Sequence, residues 1–155
     1  MREEVLLIGE VKVFDQPVVM KCYGLGTCVG LFVKDRMTGI TGGAHIFLPE
    51  VNEGNSMGEG MPAEVCVEHM LDEMKKKGAS LDTLRAKIAG GSSSLLQSYD
   101  VGSLNTKGVI DALVRNKVFI AAMDVGGAVS RTVKFNTTSG ELTVRQLECN
   151  STKIV

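Results

Sequence analysis

The order of its short apolar runs constrains the fold of this chain more than any other feature. Runs rich in β-branched and aromatic residues are typical of strands. About eight such runs are separated by turn residues: 5–13, 18–22, 29–33, 40–48, 85–89, 118–125, 131–135 and 141–147. Most of these predicted strands follow one another directly, which favours mixed or antiparallel sheets. We therefore predict an α+β fold.

Two segments between the strands have helical periodicity and clear boundary signals. The first begins at Pro62, which suits a first helical turn, and ends at Gly78. Its predicted buried face is formed by Val67, Met70, Leu71 and Met74. The second begins at about Asn105, a good N-cap residue. Its predicted buried face is formed by Val109, Ile110, Leu113 and Val114. Residues 51–61 lack periodicity and predict a mobile surface loop.

Composition excludes several classes of function. The chain has 155 residues, which is the natural size of one domain. Seventeen basic and eighteen acidic residues give a net charge of −1, which favours neither nucleic acid nor an anionic membrane. No apolar stretch approaches a membrane span, and no long apolar signal region follows Met1. We therefore expect a cytoplasmic protein that does not insert into membranes.

Glycine and cysteine patterns argue against a bound cofactor. The glycines at 24, 26 and 30 miss the dinucleotide fingerprint, because the third comes one place late. The four cysteines are too scattered for a disulfide framework. Zinc remains an alternative by ligand type, although the spacing is not that of a ribbon or finger. Its candidate ligands are Cys22, Cys28, His45 and Cys66.

A thiol and an imidazole lie on the two predicted strands 29–33 and 40–48, or directly before them. If Arg36 and Met37 form the tip of this hairpin, paired residue numbers sum to 73 and Cys28 lies opposite His45. Directly opposed side chains have Cβ atoms about 5 Å apart, which allows a thiol–imidazole hydrogen bond. A register change of two residues keeps them diagonal neighbours, whereas an odd change puts them on opposite faces.

Such a pair is the minimum requirement for nucleophilic attack on an amide or ester carbonyl. Gly24 and Gly26 allow a sharp turn whose N–H groups could stabilise an oxyanion at Cys28. A His45 imidazolium would lower the pKa of the thiol and then protonate the leaving group. The alternative is that Cys28 and His45 are ordinary core residues, as most buried thiols and imidazoles are. His69, in the first helix, is expected to be solvated or half-buried.

Several motifs in order resemble a known family. They are GLGTCV at 24–29, GGAHIFLP at 42–49, AKIAGG at 86–91, VGSLN at 101–105, and DVGG at 124–127 followed by Arg131. This set resembles the chemoreceptor glutamine deamidase family, CheD, and the resemblance runs from about residue 5 to residue 147.

The resemblance implies an activity, an architecture and partners. Members hydrolyse selected glutamine side chains of bacterial chemoreceptors to glutamate and ammonia, and some act on glutamyl methyl esters. By position, Cys28 is the implied nucleophile and His45 the implied acid and base, in a single domain over 1–155. The implied architecture is a layered sandwich with two main helices outside, similar to the catalytic core of the cytotoxic necrotising factors. The implied partners are chemoreceptors and a CheC-type phosphatase, which family members stimulate.

Some positions depart from the family pattern. Cys22 stands where the family usually has a threonine that assists the dyad, so we keep it as a third candidate catalytic residue. A thiol accepts hydrogen bonds weakly, so His45 is expected to be held more loosely or by a backbone carbonyl. Other departures are Ser92, Ser94, Leu104 and Ser130. They leave open a second interpretation, a weak or inactive chemotaxis adaptor that docks a CheC-type phosphatase through residues 51–61 or a helix surface.

Overall fold

A computed structural model gives the fold of residues 1–47, 62–93 and 100–155. The strands of this part of the chain are β1 (Arg2–Val5), β2 (Val11–Phe14), β3 (Val18–Leu25), β4 (Val29–Asp35), β5 (Thr41–Ile46), β6 (Leu84–Gly90), β7 (Phe119–Val125), β8 (Arg131–Asn136), β9 (Leu142–Gln146) and β10 (Ser151–Ile154). The helices are α1 (Ala63–Lys76) and α2 (Val101–Arg115), with a 3₁₀ turn at Leu81–Thr83. The predicted loop 51–61 lies outside the described residues.

The strands form two five-stranded sheets. The first has the order β1-β3-β8-β9-β10 and the second the order β2-β5-β4-β6-β7. In each sheet one pair is parallel, β1 with β3 and β6 with β7, and the remaining pairs are antiparallel. Both sheets are therefore mixed, which confirms the predicted α+β class.

Side chains alternate between two apolar layers because successive residues of a strand face opposite sides of its sheet. Leu31 of β4 packs in the layer between the second sheet and the helices. Its neighbour Phe32 packs in the layer between the sheets, where it stacks on Phe135 of β8 with ring centroids 5.2 Å apart. The helices thus cover the outside of a two-sheet sandwich, as predicted.

The first helix follows its sequence signals and the second does not. Pro62 occupies the N-cap position directly before α1, without a side-chain capping hydrogen bond, and Gly78 follows the end of the helix with a positive φ of 107°. The second helix begins at Val101, four residues before the predicted start, because Asp100 caps it by accepting a 2.9 Å hydrogen bond from the Ser103 N–H. Val114 is 64% exposed, so its predicted burial is wrong. Among the described residues, neither helix has the length and apolar character needed to cross a bilayer.

The N-terminal run 5–13 was predicted as one strand and is instead divided between two sheets. A turn with Gly9 at a φ of 85° separates β1 from β2. The apolar run 118–125, whose composition is that of a buried strand, forms β7 at a sheet edge, where Phe119 and Met123 are 58% and 48% exposed. β10 was not predicted, because its residues lack an apolar run.

Candidate active site

The register of β4 and β5 places Cys28 and His45 on the same side of the second sheet. Gly30 pairs with His45, so paired numbers sum to 75 and the predicted direct pairing of Cys28 with His45 is wrong by two residues. The tip of the hairpin is centred one residue later, because the Gly39 N–H bonds to the Asp35 carbonyl and closes the turn around residues 36–39. Since the shift is even, both side chains face the first sheet as diagonal neighbours.

The imidazole of His45 is held by a backbone carbonyl. His45 is buried, and its Nδ1 lies 3.1 Å from the carbonyl oxygen of Leu6. A carbonyl can only accept, so Nδ1 carries the proton and Nε2 is left with its lone pair. The expectation that a backbone carbonyl orients His45 is confirmed. Burial lowers the pKa of His45 and the Leu6 carbonyl opposes this.

The turn between β1 and β2 fixes His45 from a second direction. The Gly9 N–H donates to the His45 carbonyl at 2.8 Å, and the His45 N–H donates to the Glu10 carbonyl at 3.2 Å. The division of the predicted strand 5–13 is therefore what brings Leu6 to the imidazole. No side-chain signal in the sequence marks Leu6, because it acts through its main chain.

Cys28 is half-buried directly before β4. Burial raises the pKa of its thiol to about 11, so the free chain holds a neutral thiol at pH 7. The lowered thiol pKa expected from a neighbouring imidazolium is therefore wrong for the free chain. The hydrogen bonds of the described residues include none between Cys28 and His45. A nucleophilic role for Cys28 would therefore require a base that takes the proton of its thiol.

Cys22 lies beneath this site, inside the sandwich. It is fully buried on β3, and a Cβ atom added to Gly30 would lie 3.5 Å from its Sγ. Burial, and to a smaller degree the nearby Cys28, raises the pKa of the Cys22 thiol to about 12. Cys22 is thus a neutral, apolar neighbour of the candidate nucleophile.

Three hydrogen bonds hold the carbonyls of the backbone around Cys28. The Asn105 amide nitrogen donates to the Thr27 carbonyl at 2.7 Å, and the Gly91 N–H donates to the Cys28 carbonyl at 2.8 Å. The Ser92 N–H donates to the Gly26 carbonyl at 2.9 Å. By contrast, the N–H groups of residues 26–28 donate to no acceptor among the described residues.

Gly90 permits this close approach because a Cβ atom there would lie 2.3 Å from the Cys28 carbonyl oxygen. Its φ of 110° is also unfavourable for any other residue. Buried Arg131 holds the same segment, donating to the Gly90 carbonyl at 3.3 Å and to the Gly126 carbonyl at 2.8 Å. Its ion pair with Asp124, at 3.2 Å, keeps the buried guanidinium compensated. In the sequence Arg131 is recognisable only as part of a family motif, and its role in holding the Gly90 and Gly126 carbonyls is visible only in the structure.

The zinc alternative is not supported by the arrangement of its candidate ligands. Cys66 packs between the second sheet and the helices, whereas Cys22 and Cys28 lie in the layer between the two sheets. Within the described ranges no group of three or more His, Cys, Asp or Glu side chains is placed to hold a metal ion. His69 is exposed on α1, in agreement with its predicted solvation.

Fold and site together define an α+β sandwich protein with a thiol and an imidazole on one inner sheet face. The chain belongs to the CheD family, because the family profile described as CheD chemotactic sensory transduction matches residues 47–146. It is 37% identical over 142 residues to the "Probable chemoreceptor glutamine deamidase CheD 2" of Methanosarcina acetivorans, covering 89% of this chain and 63% of that protein.

Other relatives are matched over nearly their whole length. The chain is 34% identical over 146 residues to the "Chemoreceptor glutamine deamidase CheD" of Thermotoga maritima, with coverage of 94% and 92%. It is 36% identical over 151 residues to the "Probable chemoreceptor glutamine deamidase CheD" of Symbiobacterium thermophilum, covering 92% of each protein. It spans only 63% and 62% of the two relatives from Methanosarcina.

Proposed function

We propose that the chain is a cysteine hydrolase that deamidates selected glutamine side chains of chemoreceptors in chemotaxis adaptation. It acts in the cytoplasm as one domain over residues 1–155, with a catalytic core similar to that of the cytotoxic necrotising factors. The observation that carries the proposal is the placement of Cys28 and His45 on one sheet face, with Nδ1 of His45 committed to Leu6. The unprotonated Nε2 is then the base that a neutral thiol requires.

The reaction begins from the neutral pair. Nε2 of His45 takes the proton as the sulfur of Cys28 attacks the carboxamide carbon, and the N–H groups of residues 26–28 donate to the oxyanion. The resulting imidazolium, stabilised by the Leu6 carbonyl, protonates the departing ammonia. Neutral His45 next activates water, which cleaves the thioester to leave glutamate and the free thiol. A glutamyl methyl ester would follow the same steps, with methanol as the leaving group.

The direct test is mass spectrometry of purified chemoreceptor fragments after incubation with the chain. Conversion of a glutamine to glutamate, together with release of ammonia, supports the proposal. Isotope-labelled water should place its oxygen in the new carboxyl group, since water cleaves the thioester. Unchanged fragments in the presence of folded protein would refute the deamidase assignment.

The pH dependence of Cys28 follows from its raised pKa. With a pKa of about 11, the thiolate fraction should increase about tenfold per pH unit between pH 8 and 10. We therefore expect alkylation of Cys28 by iodoacetamide to be slow at pH 7 and to accelerate across this range. The measurement needs a Cys149→Ser background, because Cys149 is exposed. An alkylation rate already at its plateau below pH 8 would instead indicate a preformed thiolate–imidazolium pair.

Turnover should depend on pH in a different range, set by His45. Because burial lowers the pKa of His45 below 6.5, the neutral base is already present at pH 7. We expect kcat/KM to rise as pH increases through a midpoint below 6.5 and then to level off. A midpoint well above 7 would show that deprotonation of the free thiol, rather than of His45, limits the reaction.

Asn105 is proposed as a positioning residue, because it touches the loop before Cys28. Asn105→Ala removes the hydrogen bond to Thr27 and should lower kcat about tenfold or more with little change in KM. Asn116→Ala is the matched control, since its amide also donates to a carbonyl, that of Ala112, at the end of the same helix. Both variants should lose about 1 kcal/mol of stability. Equal kcat values for Asn105→Ala and Asn116→Ala would contradict the positioning role of Asn105.

Cys22 is proposed to support the site by packing. A buried neutral thiol beside Cys28 cannot act as a base, and it accepts hydrogen bonds weakly. The carbonyl of Leu6 performs the orientation that the family's usual threonine would assist.

The raised thiol pKa favours a second candidate function, a weak or inactive adaptor that binds and stimulates a CheC-type phosphatase. This candidate predicts that phosphatase binding is unchanged by Cys28→Ala and that wild-type protein does not deamidate receptor fragments. Deamidation by the wild type decides between the two.

A further inference from the structure

Basic side chains converge at the end of the sandwich that lies far from Cys28. Lys34 of β4 pairs with Arg85 of β6, and Lys87 follows two residues later on the same face. These positions alternate along their strands with residues that pack between the second sheet and the helices. The side chains of Lys34, Arg85 and Lys87 therefore face the first sheet. Arg36 adds a fourth positive charge from the turn after β4. Lys34 is six residues along the chain from Cys28, or about 20 Å.

The four side chains line a cleft between the two sheets. Its volume is about 260 Å³, and its other walls are Phe135, Ser139 and Gly140 from β8 and the following turn. Among the residues that the structure describes, the lining contains four cationic side chains and no acidic one, although the whole chain has a net charge of −1. The cleft is therefore a local concentration of positive charge.

Among the described residues, no Asp or Glu side chain lies within 4 Å of the charged groups of these four cations. Lys34 donates to the Thr138 carbonyl at 2.9 Å, and Lys87 donates to the Val155 carbonyl at 2.6 Å. The Arg85 guanidinium lies over the Phe119 ring, 4.9 Å from its centroid. The Thr138 carbonyl holds Lys34 and a ring face holds Arg85, and neither contact neutralises the charge of its partner.

In the described part of the chain, two acidic side chains lie near the cleft, Asp82 and Glu141. Asp82 shares an adjoining depression with Arg36 and Arg85. The pKa of Lys87 is lowered by burial and by Arg85, and Glu141 opposes this only in part. Like charges held together in this way favour a multivalent anion over a single carboxylate.

We propose that this cleft binds a phosphorylated small molecule through its phosphate or diphosphate group. A phosphate carries a charge near −2 and three acceptor oxygens, so one group can engage several of the cations at once. Arg85 presents two parallel donors that match phosphate oxygens, and Lys34 and Lys87 supply point charges on either side. A volume of about 260 Å³ accommodates such a group but not a folded polypeptide segment.

Calorimetric titration of the full chain with inorganic pyrophosphate at low ionic strength tests the proposal. We expect one saturable site per chain, with affinity falling as salt is raised. The double variant Lys34→Ala/Arg85→Ala should bind at least about tenfold more weakly. Arg85→Lys keeps the charge but loses the paired donors, and should show an intermediate affinity.

The matched control is Lys75→Ala/Lys77→Ala, which removes two exposed charges at the end of α1. It should bind pyrophosphate like the wild type, and circular dichroism melts should show all variants folded. Parallel titrations with inorganic phosphate and a nucleoside diphosphate distinguish a free anion from a larger phosphorylated ligand. Absence of saturation, equal weakening in the control, or tighter binding of a poly-glutamate peptide would overturn the proposal.

Discussion

Cys28→Ala is expected to abolish ammonia release from receptor fragments, with a loss of at least about a thousandfold. In the proposed mechanism no thioester forms without the sulfur, and the remaining backbone donors would only bind the amide. His45→Ala should have a similar effect, because the neutral thiol then has no base to take its proton. The measurement is the rate of ammonia release, together with the mass of the fragment.

Each of these variants has a matched control on the same chain. Cys149→Ala removes an exposed thiol, and His69→Ala removes an exposed imidazole on α1. Both controls should retain wild-type turnover, and thermal melts should show that Cys28→Ala remains folded. Substantial turnover by either Cys28→Ala or His45→Ala would contradict the mechanism.

Asp35→Ala is expected to cause the largest loss of stability, about 3–5 kcal/mol, because it leaves several donors unpaired. The buried carboxylate accepts from the Met37 N–H at 3.0 Å and the Ser80 N–H at 2.9 Å. It also accepts from the hydroxyls of Thr38 and Thr83. It therefore joins the β4–β5 turn to the start of β6. Urea denaturation of the wild type and of Asp35→Ala measures the difference in their free energy of unfolding.

The stability supplied by Asp35 should also depend on pH. Burial raises the pKa of this carboxyl, but the hydrogen bonds from Thr38, Thr83, Ser80 and Met37 outweigh it and lower the pKa to about 2. A lowered folded-state pKa contributes stability that is complete above the unfolded value near 3.8. This contribution is lost as pH falls from there towards 2. The difference in the free energy of unfolding between the wild type and Asp35→Ala should therefore become smaller below pH 4.

Asp82→Ala is the control for this experiment, since Asp82 is an exposed aspartate in the adjacent 3₁₀ turn. It should change the free energy of unfolding by less than about 0.5 kcal/mol. If Asp35→Ala and Asp82→Ala lower the free energy of unfolding by similar amounts, the hydrogen bonds of Asp35 contribute little to stability. The same follows if the difference between the wild type and Asp35→Ala is constant down to pH 2.

Local sequence signals predicted the elements that depend on local chemistry. Pro62 and Gly78 marked the bounds of α1, and the apolar runs 131–135 and 141–147 marked the two strands of the β8–β9 hairpin. The start of α2 was misplaced because Asn105 and Asp100 are both good cap residues. Asn105 is used instead to hold the Thr27 carbonyl, a contact 78 residues away in sequence.

The sequence by itself placed Cys28 and His45 at two neighbouring predicted strands, but it left open whether they share a face, because an odd register shift would separate them. The observed pairing of Gly30 with His45 decided this, since the shift is even. Only the tertiary structure decided how the pair is protonated. The carbonyl of Leu6 and the burial of Cys28 both come from segments that pack together over long separations. The basic cleft arises in the same way, since strands from different parts of the chain place Lys34 and Arg85 side by side.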